Sequence, residues 1–75
     1  MLFQDLKVGD KAIITHTDTA ASQQHQRLMI LGLTEGTQFQ VTRVAPLGDP
    51  IEIRLRGFNL SLRRSEAEGV QVKKV

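Results

Sequence analysis

The sequence predicts a mainly β protein, a small and partly closed barrel of about five short strands with one short helix inserted after the first strand. Three observations carry that prediction. Apolar and polar residues alternate in several separate runs, the period of a strand buried on one face. One segment near residue 20 breaks that rhythm with helix-forming residues that end at a glycine. The chain has 75 residues, enough for one domain but too few for a large layered architecture.

Each element follows from local composition. Gly9-Asp10 is a turn, and the β-branched run "KAIITHT", Lys11 to Thr17, is the first strand. Thr19 or Ser22 can cap a helix of roughly ten residues, and Gly32 can stop it in a left-handed conformation. A helix that short needs packing to persist. Ala21, Leu28 and Leu31 align on its core face, whereas Ile30 falls among polar residues and Met29 lies at the boundary. Met29 and Ile30 are therefore either covered by a loop or left as a contact patch.

After a turn at "TEGT", Thr34 to Thr37, the period becomes two. Phe39 and Val41 share a face, but the next apolar residue is Val44 rather than Arg43, a slip that a β-bulge produces. In "IEIRLR" Ile51, Ile53 and Leu55 face inward, and Glu52, Arg54 and Arg56 face outward. Phe58, Leu60 and Leu62 repeat the inward pattern. "RRSEAEG" reads as one helical turn with Ser65 and Glu68 at capping-box spacing, and "VQVKKV" closes the chain as a last strand. The whole is predicted to be an SH3-like barrel, residues 1–75 forming one domain.

Composition narrows the function. There is no cysteine, so neither a disulfide nor a thiolate metal site is available. The N-terminus shows no leader pattern. The longest apolar run, Leu28 to Leu31, is far short of the roughly 20 residues of a membrane span, so direct membrane insertion is not expected. A soluble, cytoplasmic protein is the expectation. Catalysis has no candidate constellation: the serines lack a histidine partner, and the glycines form neither a phosphate-binding loop nor a dinucleotide fingerprint. His16 and His25 would have to converge with a carboxylate such as Asp18 to hold a metal, and nothing in their spacing imposes that. No cofactor is expected.

Two surfaces suggest binding. Arg54 and Arg56 project from one strand with Arg63 nearby, and a basic barrel face can hold nucleic-acid backbone. The net charge is only +2, Glu52 dilutes the field, and there is no Tyr or Trp on which bases would stack. Nucleic acid is thus the alternative rather than the expected partner. The other surface is the loop "APLGDP". Pro46, Leu47, Gly48 and Asp49 suit a type II turn with Gly48 at positive φ, and Pro50 holds Asp49 extended. Leu47 then stands at the corner, either folded back as a plug over the open barrel end or exposed as a rigid apolar knob. Exposed, it could enter a partner or a second copy of the chain.

The run from Arg27 to Ala67 resembles the FeoA family, small cytoplasmic proteins of bacterial ferrous-iron uptake. The matching residues are Arg27-Leu28, Leu31-Gly32-Leu33, Gly36, the loop Ala45-Pro46-Leu47-Gly48-Asp49-Pro50, Gly57, Leu60, Leu62-Arg63 and Glu66-Ala67. The resemblance implies an SH3-like barrel similar to the C-terminal domain of iron-dependent repressors of the diphtheria-toxin-repressor kind. It implies no enzymatic activity of its own and names a partner, the FeoB membrane GTPase transporter, which would recruit the protein to the inner face of the membrane. The candidate contact residues are Pro46, Leu47, Gly48, Asp49, Pro50, Met29, Ile30, Arg54 and Arg56.

Overall fold

Five antiparallel strands make one sheet in the order β4-β3-β2-β1-β5. The strands are β1 (Lys11–Thr17), β2 (Gln38–Val44), β3 (Ile51–Leu55), β4 (Phe58–Leu62) and β5 (Val70–Lys74). The computed structural model describes residues 1–17, 30–67 and 69–75. The expected helix cap and the core face formed by Ala21 and Leu28 lie outside the described residues. Of the segment expected to be helical, the described residues show Ile30 in helical conformation and Gly32 at a φ of 98°, the conformation expected of a C-terminal stop.

Alternation decides which side chains are buried. Ile51, Ile53 and Leu55 of β3 are 2%, 0% and 2% exposed, which makes this strand, second from the sheet edge, fully covered on its inner face. All five strands contribute to one buried cluster with Leu33 and Ala67. A 3₁₀ turn at Phe3–Asp5 adds Phe3 and Leu6, and the Phe3 and Phe39 rings pack tilted at 33° with their centroids 5.5 Å apart. Asp5 fixes that turn by accepting the Leu2 N–H at 3.2 Å. The opening residues carry no sequence signal for it, because a single turn has no period to read.

The bulge expected in β2 is present. Val41 pairs with Ile53 and Arg43 with Glu52, leaving Thr42 as the extra residue, whose Oγ1 donates to the Glu52 carbonyl at 3.2 Å. A second register shift lies between Ile14 and His16, opposite β5. It moves the inward phase of β1 onto Thr17, which is buried, and leaves His16 exposed.

Two expectations need correction, and a third falls partly outside the described residues. Phe58 does face the core side, opposite Leu55, yet it is 42% exposed. It starts an edge strand at the hairpin end, and cover increases along β4 to Leu62 at 2%. Arg56 is not in β3: it sits in the β3–β4 turn at a φ of 47°. In the turn after β4 the Glu66 Oε1 accepts the Arg63 N–H at 3.1 Å. Ser65 is exposed, and Glu68 lies outside the described residues.

Candidate functional site

The β2–β3 connection carries the most exposed apolar side chain among the described residues. Leu47 is 94% exposed, so it is a knob and not a plug. Its turn closes one residue earlier than expected: the Gly48 N–H bonds the Ala45 carbonyl at 2.7 Å, placing Pro46 and Leu47 at the two central positions. A type II turn would need positive φ at Leu47, and Leu47 is not among the residues with positive φ. Pro46 presets the first corner, and Gly48 follows at a φ of 85°.

The loop is fixed at its base. The Ala45 N–H bonds the Pro50 carbonyl at 3.1 Å, and the Asp49–Pro50 peptide is cis. Asp49 turns its carboxylate back to the protein: Oδ1 accepts the Arg64 N–H at 2.9 Å, and Oδ2 lies 4.0 Å from the Arg63 guanidinium. A knob held this way loses little conformational entropy when it is buried by a partner.

The remaining candidates are spread over other places. Ile30 is 86% exposed, and Met29 lies outside the described residues. Arg54 and Arg56 border a groove on the outer face of the sheet, and none of Pro46 to Pro50 lines it. Arg56 donates to the buried Thr37 Oγ1 at 3.4 Å, and that hydroxyl donates to the Gly32 carbonyl at 2.9 Å. Arg56 is thereby tied to the backbone two residues beyond Ile30. His16 lies 3.5 Å from Glu35, while His25 and Asp18 are outside the described residues. Among the described residues no group of three His, Cys, Asp or Glu side chains could hold a metal ion.

Sequence reasoning missed Arg64, whose backbone anchors the loop, and the groove residues Lys11, Gln38 and Gln40. Strand register, which joins Lys11 to Gln40 and Gln40 to Arg54, is the signal that would have found the groove.

The FeoA domain family matches residues 1–74. The chain belongs to the FeoA family. A curated relative is the Fe(2+) transport protein A/Fe(2+) transporter FeoB fusion protein of Porphyromonas gingivalis. It is 32% identical over 97% of this chain, which spans only 8% of that protein. The solution structure of FeoA from Chlorobium tepidum is 46% identical, covering all of this chain and 70% of that one, with a TM-score of 0.85.

The crystal structure of Stenotrophomonas maltophilia FeoA with zinc is 26% identical. It covers 97% of this FeoA-family chain and 89% of its own, with a TM-score of 0.82, and is described as a prokaryotic SH3 domain protein. The SH3-like barrel expected from the sequence is therefore the fold observed. The crystal structure of T. acidophilum IdeR shares the fold alone, at 16% identity and a TM-score of 0.87.

Proposed function

We propose that this chain is a non-enzymatic accessory protein of ferrous iron transport that binds the FeoB transporter at the cytoplasmic face of the membrane. The observation that carries this reading is Leu47, an apolar side chain 94% exposed on a loop fixed at both ends. An exposed leucine is common, but one held on a stiffened turn is suited to filling a pocket on another protein. The P. gingivalis relative supports the choice of partner, because there the two proteins are joined in one chain. Among the described residues no helix is long and apolar enough to cross a membrane, so contact with the bilayer would come through the partner.

The loop from Pro46 to Pro50 is the proposed primary contact, with Ile30 as a second apolar point. The test is capture of detergent-solubilised FeoB by the purified chain and by its Leu47→Asp variant. The variant is expected to keep its fold, since a surface change costs within about 0.5 kcal/mol, and to lose most of the capture. Equal capture by a folded variant would remove Leu47 from the interface. Capture by neither protein would remove the partner.

A further inference from the structure

The outer face of the sheet holds a concave space of about 300 Å³. Its position follows from strand register. Lys11 of β1 faces Gln40 of β2, and Gln40 faces Arg54 of β3, so the three lie in one row across neighbouring strands. Neighbouring strands are about 4.8 Å apart, within reach of these long side chains. Gln38 and Arg56 border the same space.

Its charge is one-sided. Lys11, Arg54 and Arg56 line it, and no lining residue carries a carboxylate. The ion pairs among the described residues are His16–Glu35, Arg63–Asp49 and Lys74–Asp10, none of which compensates these three cations. A concavity lined by one sign of charge concentrates the field on whatever enters it.

Arg56 adds an independent observation. It occupies the first central position of a two-residue hairpin turn, at a φ of 47° with Gly57 at 85°. Asn, Asp or Gly takes that conformation at low cost, and arginine does not. The side chain is anchored to Thr37 through one guanidinium nitrogen. Of its five N–H donors, most stay available.

We propose that this groove is a binding site for a small polyphosphate anion, a ligand bearing a di- or triphosphate group. Three cations converge on one small space instead of being strung along a strand, which suits concentrated charge better than an extended acidic peptide. Guanidinium forks and amide N–H groups match phosphate oxygens in geometry. The site goes beyond the docking loop, with which it shares no residue.

The test is titration of inorganic tripolyphosphate into the isotope-labelled full chain at low ionic strength, followed by amide chemical shifts. Saturable one-to-one changes are expected, centred on Lys11, Gln38, Gln40 and the segment from Arg54 to Gly57. Arg54→Gln combined with Arg56→Asn should weaken binding by at least about tenfold, as loss of charge-assisted bonds does. Arg63→Gln should leave it unchanged, and well-dispersed spectra of each variant establish folding. Shifts spread equally over Arg43, Arg63 and Lys73, or no saturation, would overturn the proposal. So would tighter binding of a single-stranded oligonucleotide than of tripolyphosphate, which would reassign the face to nucleic acid.

Discussion

The carboxylate of Asp49 holds the backbone of Arg64, its Oδ1 accepting the Arg64 N–H at 2.9 Å. This single bond ties the β2–β3 loop to the turn that follows β4. The loop's own closure, Gly48 to Ala45, sets its shape, and Asp49 sets its position on the barrel. Asp49→Ala is expected to cost about 0.5–1.5 kcal/mol, because the bond is partly exposed and its donor can turn to water. Asp49→Asn should stay near wild type, since the amide oxygen can still accept. Denaturant midpoints give the stability, and amide exchange at Arg64 should quicken only in the alanine variant.

Gly48 offers a separate check on the same loop. A Cβ at this position would meet nothing closer than the Arg64 guanidinium at 3.9 Å, so space is not the constraint. The constraint is the backbone, at a φ of 85°. Gly48→Ala should therefore destabilise by about 1–2 kcal/mol, with the Leu47 knob displaced. An alanine variant as stable as wild type would mean that the loop can adopt another turn at little cost.

Particular residues show what could be read from the sequence and what could not. Ile53 is readable, because alternation in "IEIRL" has one solution that buries the apolar face, and the residue is 0% exposed. The slip from Val41 to Val44 announces its bulge for the same reason. Gly48 was readable as a positive-φ residue, but not the frame of its turn. Both frames place a proline before the glycine, and the Gly48–Ala45 hydrogen bond decides between them. Phe58 has the inward direction its period indicates, but its exposure depends on β4 being an edge strand, which is a property of topology. The groove was illegible, since Lys11, Gln40 and Arg54 become neighbours only once three strands are in register.

The conformation of Arg56 carries a prediction about stability. A bulky residue held in the left-handed region costs on the order of 1 kcal/mol or more, and asparagine is at home there. Arg56→Asn should raise stability by roughly 0.5–1 kcal/mol, even though it forfeits the long bond to Thr37. Thr37 keeps its own bond to the Gly32 carbonyl. Urea unfolding would show a higher midpoint with an unchanged slope. A lower midpoint would mean that the Thr37 contact outweighs the turn.

Core substitutions should be severe in so small a domain. A chain of 75 residues has roughly 4–11 kcal/mol of stability in total. Ile53 is 0% exposed at the centre of the buried cluster, and Ile53→Ala removes about 2–5 kcal/mol through lost burial and a cavity. Calorimetry should show a large drop in melting temperature or no cooperative transition. Ile53→Val, which removes one methylene, should cost about 0.5–1.5 kcal/mol and keep the transition.

Asp10 predicts how the fold answers to acid. Its carboxylate accepts the Lys7 N–H at 2.7 Å and lies 3.4 Å from the Lys74 ammonium. The backbone bond is the larger influence and holds the carboxyl below its ordinary value, with Lys74 adding to it and partial desolvation opposing. The folded state therefore binds this proton less readily than the unfolded chain, whose aspartate titrates near pH 4. The resulting stabilisation is fully present above that value and is lost as the pH falls through the lower, folded-state value. Wild type should exceed Asp10→Asn in stability at neutral pH, and the gap should close progressively below about pH 4. Urea midpoints of the two proteins measured across that range isolate Asp10, because every other carboxylate is common to both. A gap that stays constant into acid would assign the difference to the hydrogen bond's geometry rather than to the charge. Added salt should narrow the neutral-pH gap only slightly, since it screens Lys74 but leaves the Lys7 hydrogen bond in place.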